Sequence, residues 1–259
     1  MMKGSSLRFP APARPPRLCS GAFTVVELMI VIGIVAVLML LAVASVGKAK
    51  ERAQTVRCVQ NLRVLGTAFA AYAGEHQQTI YLNTEKFGTG ATVQWLRYFL
   101  GLTDGRHNRG TGGPVYLNDP NTAVCPSYAP FSYKPKPSDT VGYTYGAASR
   151  DKSDPYAKPL PDGKDVSRVI HLASLDSPST YWLLTDSYSQ TLDRQIFTIS
   201  ASAATARGVH FRHGGRANVL FADGHVAALD LKQFSEFPYN ARSFGYDERQ
   251  NLIETKTAP

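Results

Sequence analysis

Residues 28–47 read LMIVIGIVAVLMLLAVASVG, a run that contains no charged side chain. At ~1.5 Å of rise per residue, a helix of this length is about 30 Å long, which matches the hydrocarbon core of a bilayer. A helix in a soluble core is usually apolar along one stripe only. A secretory signal peptide has a shorter apolar region of ~7–15 residues that ends in a small-residue cleavage site. The run therefore predicts a transmembrane helix over residues 23–47.

The segment before this run, residues 1–22, has the composition of a basic leader peptide. It contains no Asp or Glu and four basic residues, Lys3, Arg8, Arg14 and Arg17. The whole chain of 259 residues has a formal net charge of +8, and outside the leader 24 basic residues face 20 acidic ones. No basic stripe interleaved with aromatic residues is present, so the charge does not predict a nucleic-acid partner.

The segment after the run predicts that the helix continues as an amphipathic helix over residues 48–74. No proline occurs between Arg17 and Gly113. Apolar residues follow one another at intervals of four, three, four and three, which is one stripe of a helix. The stripe consists of Cys58, Leu62, Leu65, Phe69 and Tyr72. We expect this stripe to pack against a globular domain formed by residues 75–259.

Glu27 lies at the start of the apolar run, where a carboxylate is unfavourable unless it has a partner or a function. One interpretation is structural, because the N-terminus of a helix favours a negative charge. The surrounding residues 21–28, GAFTVVEL, support a second interpretation. With the basic leader, they resemble the signature of prepilins and pseudopilins: a small residue, then Phe-Thr-Leu-Ile-Glu-Leu and a long apolar helix.

The resemblance implies how the N-terminus is processed. Prepilin peptidase would cut between Ala22 and Phe23 and methylate the new amine of Phe23. Glu27 would then be the fifth mature residue, and its carboxylate would meet the terminal amine of a neighbouring subunit during fibre assembly. The resemblance also places the leader in the cytoplasm and the C-terminal domain in the periplasm, as a single-pass protein of the bacterial inner membrane.

A second signal lies near the C-terminus, where residues 217–229 read ANVLFADGHVAAL. Two apolar runs flank Asp223 and Gly224, a dipeptide typical of a two-residue type I′ hairpin turn. We expect strands at residues 218–222 and 225–229. His213, nine intervening residues and then Asp223-Gly224 resemble the H-X9-DG motif of a pseudopilin-like group. Further segments resemble that group in the same order, so the resemblance covers most of the chain.

The three cysteines leave two interpretations open. Removal of the leader would remove Cys19 and leave Cys58 and Cys125. These two can form a disulfide in an oxidising compartment. They can also be two buried thiols, because Cys is among the most buried residue types.

Four residues near the hairpin, His210, His213, Asp223 and His225, are all of metal-ligating types. Their spacing matches no common zinc signature, and the turn by itself explains Asp223. We therefore favour a structural role and expect neither a metal nor a cofactor, with a metal site as the alternative. No nucleophile elbow, phosphate-binding loop or dinucleotide fingerprint occurs, so we expect no enzyme.

The rest of the globular region is less informative. Residues 101–122 read as a long loop and residues 126–165, which are rich in proline, as irregular surface structure. Residues 181–185 read as a buried strand, and residues 94–100 fit either a short helix or a strand.

Together these observations predict an α+β protein of pilin-like fold. The long N-terminal helix would span the membrane with its first half and pack on a small antiparallel sheet. The resemblance implies a pseudopilin-like structural subunit of a type II secretion or type IV pilus-like assembly, with prepilin peptidase, other pseudopilin subunits and the inner membrane as partners. The alternative is a membrane-tethered periplasmic binding protein or metal-dependent enzyme that does not polymerise.

Overall fold

The computed structural model describes residues 24–87, 91–101, 114–133, 142–149, 154–158, 168–200 and 202–255. The side chains of residues 41–45 and 83–94 are not described. The chain divides into two compact units, residues 1–47 and residues 48–259. The predicted leader, residues 1–22, and the predicted processing residues Ala22 and Phe23 lie outside the described residues.

Helix α1 runs from Val25 to Glu75. Within the described ranges, no helix combines the length and the apolarity that a membrane crossing requires. This finding overturns the predicted membrane-spanning first half of the helix. It also overturns the predicted single-pass location in the inner membrane.

The second half of α1 buries one stripe in the larger hydrophobic core. Cys58, Leu62, Leu65, Phe69 and Tyr72 are each at most 3% exposed. Their spacing puts them on one face of the helix, so a single surface of α1 meets the core. The same core contains aromatic and aliphatic residues from the rest of the second unit, among them Trp95, Tyr145, Leu184 and Leu220.

Thirteen strands and two short helices follow α1 in the described part of the chain. The strands are β1 (Thr79–Phe87), β2 (Ala91–Gln94), β3 (Gly146–Ala148), β4 (Ala157–Lys158), β5 (Arg168–His171), β6 (Trp182–Thr185), β7 (Ser187–Ser189), β8 (Thr198–Ile199), β9 (Arg207–His210), β10 (Ala217–Phe221), β11 (Val226–Leu229), β12 (Phe244–Tyr246) and β13 (Leu252–Glu254). The short helices are α2 (Trp95–Phe99) and α3 (Leu231–Ser235). Asp230 and Gln233 form a capping box at the start of α3.

The strands form three sheets, not the single small antiparallel sheet that was expected. Their strand orders are β2-β1-β5-β4, β11-β10-β6-β3-β8 and β13-β12-β9-β7. Two of the pairings, β3 with β8 and β9 with β12, are parallel. Strands β3 and β4 fall within residues 126–165, which were expected to be irregular. The proline-rich composition did not predict these two strands, because they are only three and two residues long.

The predicted hairpin is present as β10 and β11, which pair in antiparallel register from Ala217 with Leu229 to Leu220 with Val226. Its turn differs from the expected two-residue type I′ turn. The strands end at Phe221 and resume at Val226, and of Asp223 and Gly224 only Gly224 has a positive φ, of 88°. The amide of Gly224 donates to the carbonyl of Phe221 at 3.0 Å. A longer loop with a single left-handed glycine is the common alternative for hairpins.

Candidate functional site

The candidate site is a buried group of four side chains, Cys58, Cys125, Asp186 and His213. One ligating atom from each lies within 4.8 Å of all the others. The four residues come from four distant segments. Cys58 is on α1, Cys125 follows a short 3-10 turn (Pro120–Ala123), Asp186 comes directly after β6 and His213 lies in the turn after β9. Only long-range packing brings them together.

The two cysteines form a disulfide whose Cα atoms are 5.3 Å apart. Both residues are fully buried. Gln195 holds the Cys125 end, because its Nε2 donates to the Cys125 carbonyl at 2.9 Å and its Oε1 accepts from the Cys125 amide at 3.0 Å. At the other end, the hydroxyl of Tyr145 donates to the carbonyl of Cys58 at 3.3 Å. The bond ties α1 to the loop that carries Cys125.

Both ring nitrogens of His213 lie close to atoms of other side chains. Its Nδ1 lies 3.1 Å from Oγ1 of Thr55 on α1. Its Nε2 lies 3.5 Å from Sγ of Cys125 and 3.3 Å from Oδ2 of Asp186. The side chain is only 3% exposed. His213 therefore links the turn after β9 to α1 through Thr55 and reaches the buried sulfur with its other nitrogen.

Asp186 is a carboxylate with no exposed surface, and its neighbours keep it ionised. Its Oδ2 accepts from the amide of Asn218 at 2.9 Å, and its Oδ1 lies 3.9 Å from Nε of Arg212. Burial raises the pKa of the Asp186 carboxyl, but the nearby His213 ring, the Arg212 guanidinium and the Asn218 amide together lower it by more, so the pKa lies below its usual range. Arg212 also faces the ring of Tyr128 at 5.1 Å. The site thus contains an anion and a cation that are both removed from water.

A cavity of about 500 Å³ borders this group on the side of His213. It is lined by residues of α1 and of the turns around His213, including Glu51, Thr55, Tyr128, His210 and Glu248. All of them belong to the second unit. The cavity gives small solutes a path to the His213 ring, while the disulfide lies behind that ring.

The contacts made by the two ends of the H-X9-DG motif explain its spacing. At one end His213 meets Thr55, and at the other the backbone of Gly224 lies against Gly66, where an added Cβ would be 3.4 Å from the Gly224 carbonyl oxygen. From Thr55 to Gly66, α1 rises about 16 Å. Strand β10 has five residues and is about 17 Å long. The nine intervening residues therefore supply one strand and its turns, which span this stretch of the helix.

The metal site that the sequence left open, formed by His210, His213, Asp223 and His225, is not assembled. His225 and Asp223 pair at 2.6 Å on the surface of the hairpin turn. His210 places its Nε2 3.0 Å from the carbonyl oxygen of Asp247. Of the four, only His213 belongs to the buried group. The sequence did not predict Asp186 as a site residue. The only signal for it in the sequence is its position, as an acidic residue directly after a buried strand.

Glu27 has a local structural role at the start of α1. Its Oε2 accepts from the amide of Thr24 at 2.9 Å and from the Thr24 hydroxyl at 2.8 Å, while its own amide donates to Thr24 Oγ1 at 3.2 Å. This reciprocal pattern is a capping box. The hydrogen bond from the Thr24 amide lowers the pKa of Glu27. The structural interpretation of Glu27 thus has direct support.

Comparisons with protein-family models, with curated proteins and with solved structures found no match to this chain. The function is therefore argued from the residues and the contacts above.

Proposed function

We propose that this chain is a pseudopilin-like structural subunit of a type II secretion or type IV pilus-like assembly, processed by prepilin peptidase. The observation that carries the proposal is the surface of α1 between Val25 and Leu40. The large aliphatic side chains described there are between 40% and 74% exposed. A contiguous apolar surface of this kind marks an interaction site.

The proposed occupant of this surface is the same helix of another subunit. The described side chains from Leu28 to Leu40 are apolar, so two such faces are complementary without any charge pairing along their length. Glu27 is the acidic residue of the first turn. In the proposed assembly its carboxylate receives the N-terminal amine of the neighbouring subunit, and this single charge pair sets the register of the two helices.

The processing step is tested first, by the mass of the N-terminal peptide after expression with and without prepilin peptidase. We expect a chain that begins at N-methylated Phe23 only when the peptidase is present. An unprocessed leader in both samples, or a cut at another bond that does not depend on the peptidase, would overturn the processing part of the proposal.

The assembly step is tested by photo-crosslinking from α1. A photoreactive residue in place of Val37 should give crosslinked subunits, and the same residue in place of the exposed Arg63 should not. Glu27→Gln and Glu27→Ala separate the two roles of Glu27, because Gln keeps the capping box and removes the charge. The proposed charge pair predicts that both variants lose the crosslink. Crosslinking by the Gln variant at the level of the unmodified protein would reduce Glu27 to a helix cap.

A further inference from the structure

The buried group of Cys58, Cys125, Asp186 and His213 has the donor set of a structural zinc site. Zinc in such sites is four-coordinate, and its usual ligands are thiolate sulfur, imidazole nitrogen and carboxylate oxygen. The four candidate atoms lie within 4.8 Å of one another, and none of these side chains is more than slightly exposed. We propose that, when the two cysteines are thiols, this group binds one Zn²⁺ ion per chain.

The distances fit that coordination. With zinc bonds of ~2.0–2.3 Å, the ligand atoms of a tetrahedron are about 3.3–3.8 Å apart. Nε2 of His213 is 3.3 Å from Oδ2 of Asp186 and 3.5 Å from Sγ of Cys125. The two sulfurs, which are bonded to each other, must separate for the ion to enter, and all four candidate atoms already lie within 4.8 Å of one another. Because the four segments are already held together by packing, the protein does not need to refold around the metal.

The charges also balance. Two thiolates and the Asp186 carboxylate carry three negative charges, and the ion carries two positive ones. The guanidinium of Arg212, which is always protonated, lies 3.9 Å from the remaining oxygen of Asp186 and supplies the third positive charge. A neutral cluster avoids the large cost of an uncompensated charge in a buried site.

The residues around the four ligands hold them in ligating orientations. Thr55 Oγ1 lies 3.1 Å from Nδ1 of His213, so a proton on Nδ1 leaves the lone pair of Nε2 free for the metal. The amide of Asn218 orients the Asp186 carboxylate. Such outer contacts typically change metal affinity by 10–100-fold. The cavity beside His213 reaches the ring of one of the four proposed ligands.

Zinc and the disulfide are alternatives at one position. A dithiol or phosphine reductant supplies two electrons, the S–S bond breaks, and each sulfur takes one proton. Zn²⁺ then replaces these two protons and releases them to solvent. In the opposite direction, a disulfide donor removes two electrons from the thiolates, the S–S bond forms again and the ion leaves. The cluster is therefore a metal site in reducing conditions and a crosslink in oxidising ones.

The test uses the full chain and cobalt as the spectroscopic probe for zinc. The protein is reduced with a phosphine, desalted without oxygen and titrated with Co²⁺. We expect one Co²⁺ per chain, with a thiolate-to-cobalt charge-transfer band and tetrahedral d–d bands that vanish when Zn²⁺ is added. Oxidised protein should show neither band. A reduced, folded protein without these bands, or equal binding by the oxidised protein, would overturn the proposal.

Two variants locate the site without removing a ligand. Thr55→Val keeps the shape of the side chain and loses the contact to His213 Nδ1, so we expect Co²⁺ affinity to fall about 10-fold or more. His225→Ala removes an exposed histidine of the hairpin turn and should leave affinity unchanged. The opposite ranking would place the metal at the hairpin turn and overturn the assignment. The inference does not rest on the proposed assembly function, which the crosslinking experiment tests separately.

Discussion

At the scale of single residues, His210 makes the stability of the fold depend on pH. It is fully buried. Burial, together with the charge of Arg212, lowers its pKa to about 3. The unfolded chain, with a pKa of ~6.5, binds a proton at this site throughout the interval in which the folded protein does not. We therefore expect the free energy of unfolding to be highest above pH 6.5. Between about pH 6.5 and pH 3 it falls by roughly 1 kcal/mol per pH unit.

The prediction is checked by urea unfolding at several pH values from 7 to 4, with His210→Phe and His225→Gln compared to the unmodified protein. The Phe ring can keep the contacts to Tyr128 and Tyr188 while removing the titrating group. We expect a flatter pH dependence for His210→Phe and an unchanged one for His225→Gln. Because slopes are compared, a general loss of stability in the Phe variant does not affect the result. An unchanged slope for His210→Phe would show that other groups dominate.

At the scale of elements, the hairpin packs on α1 through a pair of glycines. Gly66 is buried, and a Cβ there would lie 3.0 Å from Cδ1 of Leu220 and 3.4 Å from the carbonyl oxygen of Gly224. Gly66→Ile therefore overpacks the contact, which typically costs about 1–3 kcal/mol. Gly74 is the matched control on the same helix, because a Cβ there meets nothing within 4 Å. Urea unfolding should show Gly66→Ile destabilised and Gly74→Ile at least as stable as the parent. Equal effects of the two substitutions on stability would show that the glycine contact does not determine the position of the hairpin.

The same elements show what local sequence patterns can predict. The stripe from Cys58 to Tyr72 follows from spacings of three and four residues, and the two strands of the hairpin follow from the two apolar runs that flank Asp223-Gly224. Both signals depend only on neighbours in the chain. Asp186 became a site residue through pairings that no local pattern encodes, because β6 lies between β10 and β3 in its sheet. The membrane span was inferred from the length of a charge-free apolar run. Such a run does not identify what covers an apolar helix face. The predicted membrane span was therefore wrong, whereas the two predicted strands of the hairpin were confirmed.

At the scale of the whole molecule, the bond between Cys58 and Cys125 closes a loop with a sequence separation of 67 residues. For a loop of that length, the chain-entropy model gives a stabilisation of about 4 kcal/mol, and native disulfides typically contribute 2–5 kcal/mol. We expect the reduced protein without metal to unfold at a clearly lower urea concentration than the oxidised protein.

Zinc should then restore part of this loss, because an ion that binds only the folded state raises the free energy of unfolding by about 3 kcal/mol at a concentration 100 times its Kd. The double variant Cys58→Ala/Cys125→Ala should resemble the reduced protein and gain nothing from zinc. The measurement is urea unfolding of all three forms with and without Zn²⁺. A gain in the double variant equal to that of the reduced protein would assign the zinc effect to another site and leave the crosslink as the sole function of the cysteines.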